Sequence, residues 1–181
     1  SISRRLRSDV ETGSSLSGGL DSSSIAATIA QGHWLQQPQR TFSAVFPGFE
    51  KDESRYIQSV TSHFSLPNHS ITPDAAGLAD EFDALFYHQE EPFQSASIYA
   101  QYKVFETAGQ EGVKVMLDGQ GADEILGGYH KYIHWYIQQL ISRKQFGAAY
   151  RELQTFRKHQ VPVRWGFGNW LATYLPAHAA L

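Results

Sequence analysis

Gly13-Ser14-Ser15-Leu16-Ser17-Gly18-Gly19-Leu20-Asp21-Ser22 is the stretch on which the reading of this chain turns. Its small-residue start reads as a strand that delivers its end into a loop built to hold phosphate. Two adjacent glycines let the backbone approach a ligand closely and turn several N–H groups inward, and the helix after them presents its positive end. Ser17 and Ser22 add hydroxyl donors. A carboxylate beside phosphate oxygens repels them unless a divalent cation lies between, so Asp21 reads as a Mg²⁺ ligand. The loop therefore predicts a metal-bound nucleotide. Without the ligand, the same glycine pair would be an ordinary tight turn between strand and helix.

Outward from this loop, the chain alternates β-prone runs with helical periodicity, the rhythm of a mostly parallel sheet covered by helices on both faces. Strand one is predicted over Thr12 to Leu16, followed by a helix that uses Ile25, Ala26, Ile29 and Leu35 and stops near Gly32. Strand two runs from Thr41 to Phe46 and ends at Pro47-Gly48, and a second helix spans Asp52 to Phe64. Asn68 to Ile71 is a short third strand, after which Thr72 or Asp74 caps a helix running to Tyr87. Ser97 to Ala108 is another helix, and Val113 to Leu117 is a β-branched fourth strand. From Ile125 onward, Tyr129, Tyr132, Ile133, Tyr136, Ile137 and Leu140 recur at helical spacing. Those aromatics read as core rather than as a base-stacking platform.

The 181 residues are 41% hydrophobic with a formal net charge of −3, which fits one globular domain and gives no basic nucleic-acid surface. Arg4, Arg5 and Arg7 make only a small basic cluster. With no cysteine, the chain has no disulfide, thiolate metal site or cysteine nucleophile. No apolar run approaches the ~20 residues of a membrane span and no signal segment opens the sequence, which predicts a soluble, cytoplasmic protein without membrane partners. The absent starting methionine and the apolar stretch Trp170 to Pro176 suggest that both ends continue in something longer. His130 and His134 lie four apart on one helix face, a spacing that zinc can use, but no third ligand is evident. They read as part of a polar helix face.

A second glycine-bearing loop comes after strand four: Asp118-Gly119-Gln120-Gly121-Ala122-Asp123-Glu124. In a doubly wound sheet of order 3-2-1-4, strands one and four are neighbours where the winding reverses, and ligands bind there past the strand carboxyl ends. Asp21 and Asp123 would then approach a common centre, as metal-assisted phosphoryl or adenylyl chemistry needs. Taken singly, Asp123 and Glu124 would also suit a helix N-terminus electrostatically.

The Ser17 to Ser22 hexapeptide resembles the PP-loop of ATP pyrophosphatases and lacks the lysine of a Walker A loop. Together with Gly127-Gly128-Tyr129 behind the second loop, it resembles the synthetase domain of glutamine-dependent asparagine synthetases. In that family the second loop runs glycine, any residue, glycine, a small residue, Asp-Glu, two residues, then Gly-Gly-Tyr. Here it reads Gly119-Gln120-Gly121-Ala122-Asp123-Glu124-Ile125-Leu126-Gly127-Gly128-Tyr129. Asp52-Glu53 and Glu91-Pro92-Phe93 add agreement, and the resemblance covers about Asp9 to Tyr129.

The resemblance implies an adenine nucleotide alpha hydrolase-like α/β fold and an amide synthesis through an acyl-adenylate, with ATP and Mg²⁺ as cofactors. Its substrates would be an aspartate-like carboxylate and ammonia. It assigns Asp21 and Asp123 to magnesium and Glu124 to the substrate side of the site. Backbone groups near Leu16, Ala44 and Gly119 would hold the adenosine, and Ser17, Gly18, Gly19 and Ser22 the pyrophosphate. It makes residues 1–181 part of a domain whose C-terminal end and partner glutaminase domain lie elsewhere. Closure of a β-lactam or peptide lactam through the same adenylate, or a nucleotide-binding scaffold that no longer turns over, remain alternatives. Some relatives carry an acid at the position of Gln120, where a neutral amide cannot act as a general base. The family's later lysine and its arginine-containing substrate motif have no counterpart before Leu181, and the glutaminase cysteine is absent.

Overall fold

The computed structural model describes residues 1–35, 38–50, 52–161, 163 and 168–169. The apolar stretch Trp170 to Pro176 lies outside the described residues. Two units divide the chain, Ser1–Gln120 and Gly121–Leu181.

The first unit opens with a short helix, α1 (Ile2–Arg5), that the sequence did not announce. Four strands come next: β1 (Thr12–Ser15), β2 (Arg40–Ala44), β3 (Asn68–Ile71) and β4 (Val115–Leu117). They pair in parallel, as the alternation of elements predicts, and in the order β3-β2-β1-β4 supposed for a doubly wound sheet. The register sets Ser14 beside Thr41 and Leu117, and Phe42 beside Ser15 and His69.

Side chains alternate across a strand, so this register gives the sheet two unlike faces. On one, Phe42 packs with Val104 and Ala108 of α6 (Ser97–Gln110), with Val113, and with Ala44, Ile71 and Met116 around them. Gly13 makes room there, because a Cβ on it would stand 3.0 Å from the Phe42 ring. The other face carries buried hydroxyls on its strands. The Thr41 and Ser43 hydroxyls both lie 2.9 Å from the Asn68 side-chain oxygen, and the one Ser43 proton is shared with the Leu16 carbonyl at 2.7 Å. These bonds satisfy polar groups that would otherwise be stranded between sheet and helices. Leu16 packs against Ala26 of α2 (Leu20–Gly32) and Ile57 of α3 (Ser54–Phe64) on the same side.

Helix α2 stops at Gly32, as expected, with His33 in the left-handed region, so Leu35 falls beyond it. The predicted helix up to Tyr87 is two helices, α4 (Ala75–Asp80) and α5 (Phe82–Gln89). Asp74 rather than Thr72 caps the first, accepting the Gly77 N–H at 2.7 Å. The break falls at Glu81, whose carboxylate accepts the Tyr99 hydroxyl at 2.8 Å and Lys103 at 2.9 Å. Long-range partners prevail over helical continuity there, and no local pattern signals them.

In the second unit, the helical run expected from Ile125 is interrupted. α7 (Ala122–Leu126) ends at Gly127, whose φ of 72° only glycine adopts readily, and α8 (His130–Ser142) starts afresh. α9 (Phe146–Lys158) returns along α8, joined through Arg143-Lys144-Gln145. Ile137, Leu140 and Ile141 of α8 bury against Ala149, with Leu153 and Phe156 beside them. Among the described residues no helix is long and apolar enough to cross a membrane.

Candidate functional site

The segment between β1 and α2 turns sharply because Gly18 takes φ 83°, a left-handed conformation, and passes against α3. A Cβ on Gly18 would stand 3.0 Å from the Glu53 carbonyl oxygen and 3.1 Å from the Tyr56 Cβ. The two serines shape the loop from within. The Ser22 hydroxyl accepts the Ser17 N–H at 3.2 Å and lies 3.0 Å from the Ser17 hydroxyl, which in turn accepts the Gly19 N–H at 3.2 Å. The N–H groups of Gly18, Leu20, Asp21 and Ser22 have no acceptor among the described residues, since the first bond of α2 runs from Ser23 N to Gly19 O. Four open donors at a helix start make an anion cradle. The Asp21 carboxylate stands in that first turn with no hydrogen-bond or ion-pair partner among the described residues. Open N–H donors beside an open carboxylate could receive an anion accompanied by a divalent cation.

The exit from β4 meets this turn within the same unit. A Cβ on Gly119 would lie 3.0 Å from the Ser22 backbone nitrogen and 3.2 Å from the Asp21 Cβ. Glycine at 119 therefore lets the second loop press directly on the first. The three positions expected to meet adenosine all lie at carboxyl ends of strands: Leu16 just past β1, Ala44 closing β2, Gly119 just past β4. Leu16 offers little of its backbone, because its N–H donates to Phe42 O at 2.8 Å and its carbonyl already accepts Ser43.

The other two predicted residues belong to the second unit, on α7. The carboxylate of Asp123, like that of Asp21, has no protein partner among the described residues. Gly128 folds back on it, donating its N–H to the Asp123 carbonyl at 3.0 Å, and a Cβ at Gly128 would collide with the Asp123 carboxylate. That is a physical reason for glycine in the Gly127-Gly128-Tyr129 triplet. Glu124 accepts the Tyr129 hydroxyl at 3.1 Å, and this bond to a carboxylate raises the Tyr129 pKa.

Sequence reasoning left three neighbours of the site unassigned. Asp52 fastens the loop after β2, accepting the Phe46 N–H at 3.0 Å and the Ser54 hydroxyl at 2.8 Å, and these donors hold its carboxyl below the usual range. Asp118 accepts the Gly119 N–H at 2.6 Å and the Gln101 side-chain amide at 3.0 Å. A carboxylate at the mouth of a strand was the one visible signal for Asp118; Gln101, on α6, gave none.

Comparison with known proteins places the chain in a family. The sequence profile named Asparagine synthase matches residues 1–177, well beyond the stretch that carries the motif resemblance. A Methanocaldococcus jannaschii protein assigned by name to glutamine-hydrolysing asparagine synthetase is 35% identical over 77% of this chain and 26% of its own length. Asparagine synthetase (glutamine-hydrolysing) 2 of Bacillus subtilis is 32% identical over 71% of this chain and 18% of its own, and Amidase chyE of Penicillium rubens 28% over 71% and 21%. The chain thus spans about a quarter or less of these relatives. From the profile match, the loop sequences and the 3-2-1-4 sheet, the chain belongs to the asparagine synthase family.

Proposed function

We propose that this chain carries the ATP-cleaving centre of an amide ligase that converts aspartate to asparagine. The aspartate side-chain carboxylate attacks the α-phosphorus of ATP, pyrophosphate leaves into the loop of residues 17–22, and ammonia then displaces AMP from the acyl-adenylate. The observation that carries this reading is the cradle of open N–H groups with an unpartnered Asp21 in its first turn, pressed against Gly119. Fixed donors aimed at a leaving pyrophosphate stabilise charge as it develops, without reorganisation at the moment of reaction. Leu16, Ala44 and Gly119 are assigned to the adenosine and Glu124 to the substrate side.

Asp21 and Asp123 are assigned to Mg²⁺. Magnesium takes one or two carboxylates and completes its shell with phosphate oxygens and water, so it needs no larger cage of protein ligands. When bound, the ion neutralises the charge of the departing pyrophosphate. Ammonia would come from glutamine through a glutaminase domain in the whole protein, since this chain has no cysteine nucleophile. A second reading keeps the adenylate and changes the amine, closing a lactam; similarity to a relative named as an amidase supports keeping the acceptor open.

Calorimetric titration with MgATP tests the site. Asp21→Ala and Asp123→Ala are each expected to weaken binding by at least ~10-fold, the scale of disturbing a metal's protein shell. Unchanged binding in Asp123→Ala would remove that residue from the metal site, and no binding by the unaltered chain would overturn the nucleotide assignment.

A further inference from the structure

The Gln101–Asp118 contact joins two elements that the proposed chemistry does not otherwise use. Asp118 stands where β4 releases the chain, and both of its oxygens are occupied, one by its neighbour's N–H at 2.6 Å and one by Gln101 at 3.0 Å. Gln101 projects from α6, the helix that packs on the sheet through Val104 and Ala108. Both side chains are half-buried. The next residue, Gly119, runs close enough to Asp21 and Ser22 that no Cβ could be added without displacement. A chain of contacts thus leads from α6 through one carboxylate to the backbone against the phosphate loop.

We propose that Gln101 and Asp118 are a positioning pair that fixes the β4 exit loop against the first turn of α2 and so sets the width of the nucleotide site. The carboxylate at 118 gives each donor an oxygen of its own, Oδ2 to Gln101 and Oδ1 to Gly119, and both of its ends are acceptors. Charge-assisted bonds from both donors hold the peptide plane at Gly119 more firmly than loop geometry alone. Neither residue touches the reacting atoms. The effect on nucleotide affinity rests on the function proposed above; the effect on the loop itself does not.

The test uses the whole chain and two readouts: amide exchange at Gly119 without nucleotide, and MgATP affinity by calorimetry. Gln101→Ala and Asp118→Ala are each expected to speed Gly119 exchange and to weaken MgATP binding about tenfold, or about 1.4 kcal/mol. Gln101→Glu sets two carboxylates face to face, so its loss should be large at neutral pH and recover in acid as the pair shares a proton. Combining Gln101→Glu with Asp118→Asn restores both bonds in reversed polarity, the new asparagine donating to the new glutamate and accepting from Gly119. The double variant should therefore regain exchange protection and affinity, a non-additivity that a merely structural role would not produce. Unchanged Gly119 exchange in the alanine variants, or a double variant no better protected than Gln101→Glu alone, overturns the pair. Faster exchange with unchanged affinity overturns its positioning role. If the unaltered chain fails to bind MgATP, the proposed function falls while Gly119 exchange still decides the pair.

Discussion

Gly18 shows what a single residue contributes here. Its φ of 83° and the 3.0 Å approach of the Glu53 carbonyl leave no place for a side chain. Gly18→Ala is expected to lower stability by about 1–3 kcal/mol, the usual cost of a strained backbone position, and to remove nucleotide binding. Urea unfolding and titration with MgATP measure the two effects, and a variant that keeps both would show the turn to be adaptable. Gly128 was legible in the sequence only as part of a motif. Its cause, the carboxylate of Asp123 lying where a Cβ would stand, needs coordinates. Asp118 was visible in the sequence yet given no role, because its meaning depends on Gln101, which is remote in sequence and near only after α6 packs on the sheet.

At the scale of elements, α5 and α6 are tied by Tyr99, Glu81 and Lys103. Burial, with help from the Glu81 carboxylate, pushes the Tyr99 hydroxyl up to about 12, above its ordinary value of 10.0. A raised pKa means that the protonated form is the one the fold favours. Its contribution is therefore complete below pH 10 and lost as pH rises through about 12. Glu81 shifts the other way, held down by Lys103 and Tyr99, so its contribution is present above its unfolded value and fades in acid. Tyr99→Phe is expected to cost about 1 kcal/mol at neutral pH, the net worth of one hydrogen bond, and to flatten the alkaline limb of stability. Thermal unfolding from pH 7 to 11 reads both, and an alkaline limb that stays as steep would detach it from Tyr99. The strands and α2 were foreseen nearly to the residue, because period and punctuation are local. The break at Glu81 and the helix α9 were not, since one depends on distant partners and the other on burial against α8.

For the molecule as a whole, the sheet and the two clusters on its faces lie inside Ser1–Gln120. Residues 1–120 expressed alone are therefore expected to unfold cooperatively and to keep the cradle; under the proposed function they should bind MgATP more weakly than the whole chain, lacking the proposed ligand Asp123. Circular dichroism on heating and calorimetry check this, and a fragment without a cooperative transition would show that the sheet depends on residues beyond Gln120. The sequence by itself determined the parallel α/β class, the two loops and the family, because each is written in short patterns: alternation of strand and helix, glycines where backbone must bend, carboxylates beside them. Tertiary structure alone decided that the serines of the first loop bond to one another, that buried hydroxyls of Thr41 and Ser43 share one face of the sheet with Leu16, and that Gln101 reaches Asp118. Such contacts join residues that no period or motif relates; they exist only once backbone register has brought the partners within hydrogen-bonding distance.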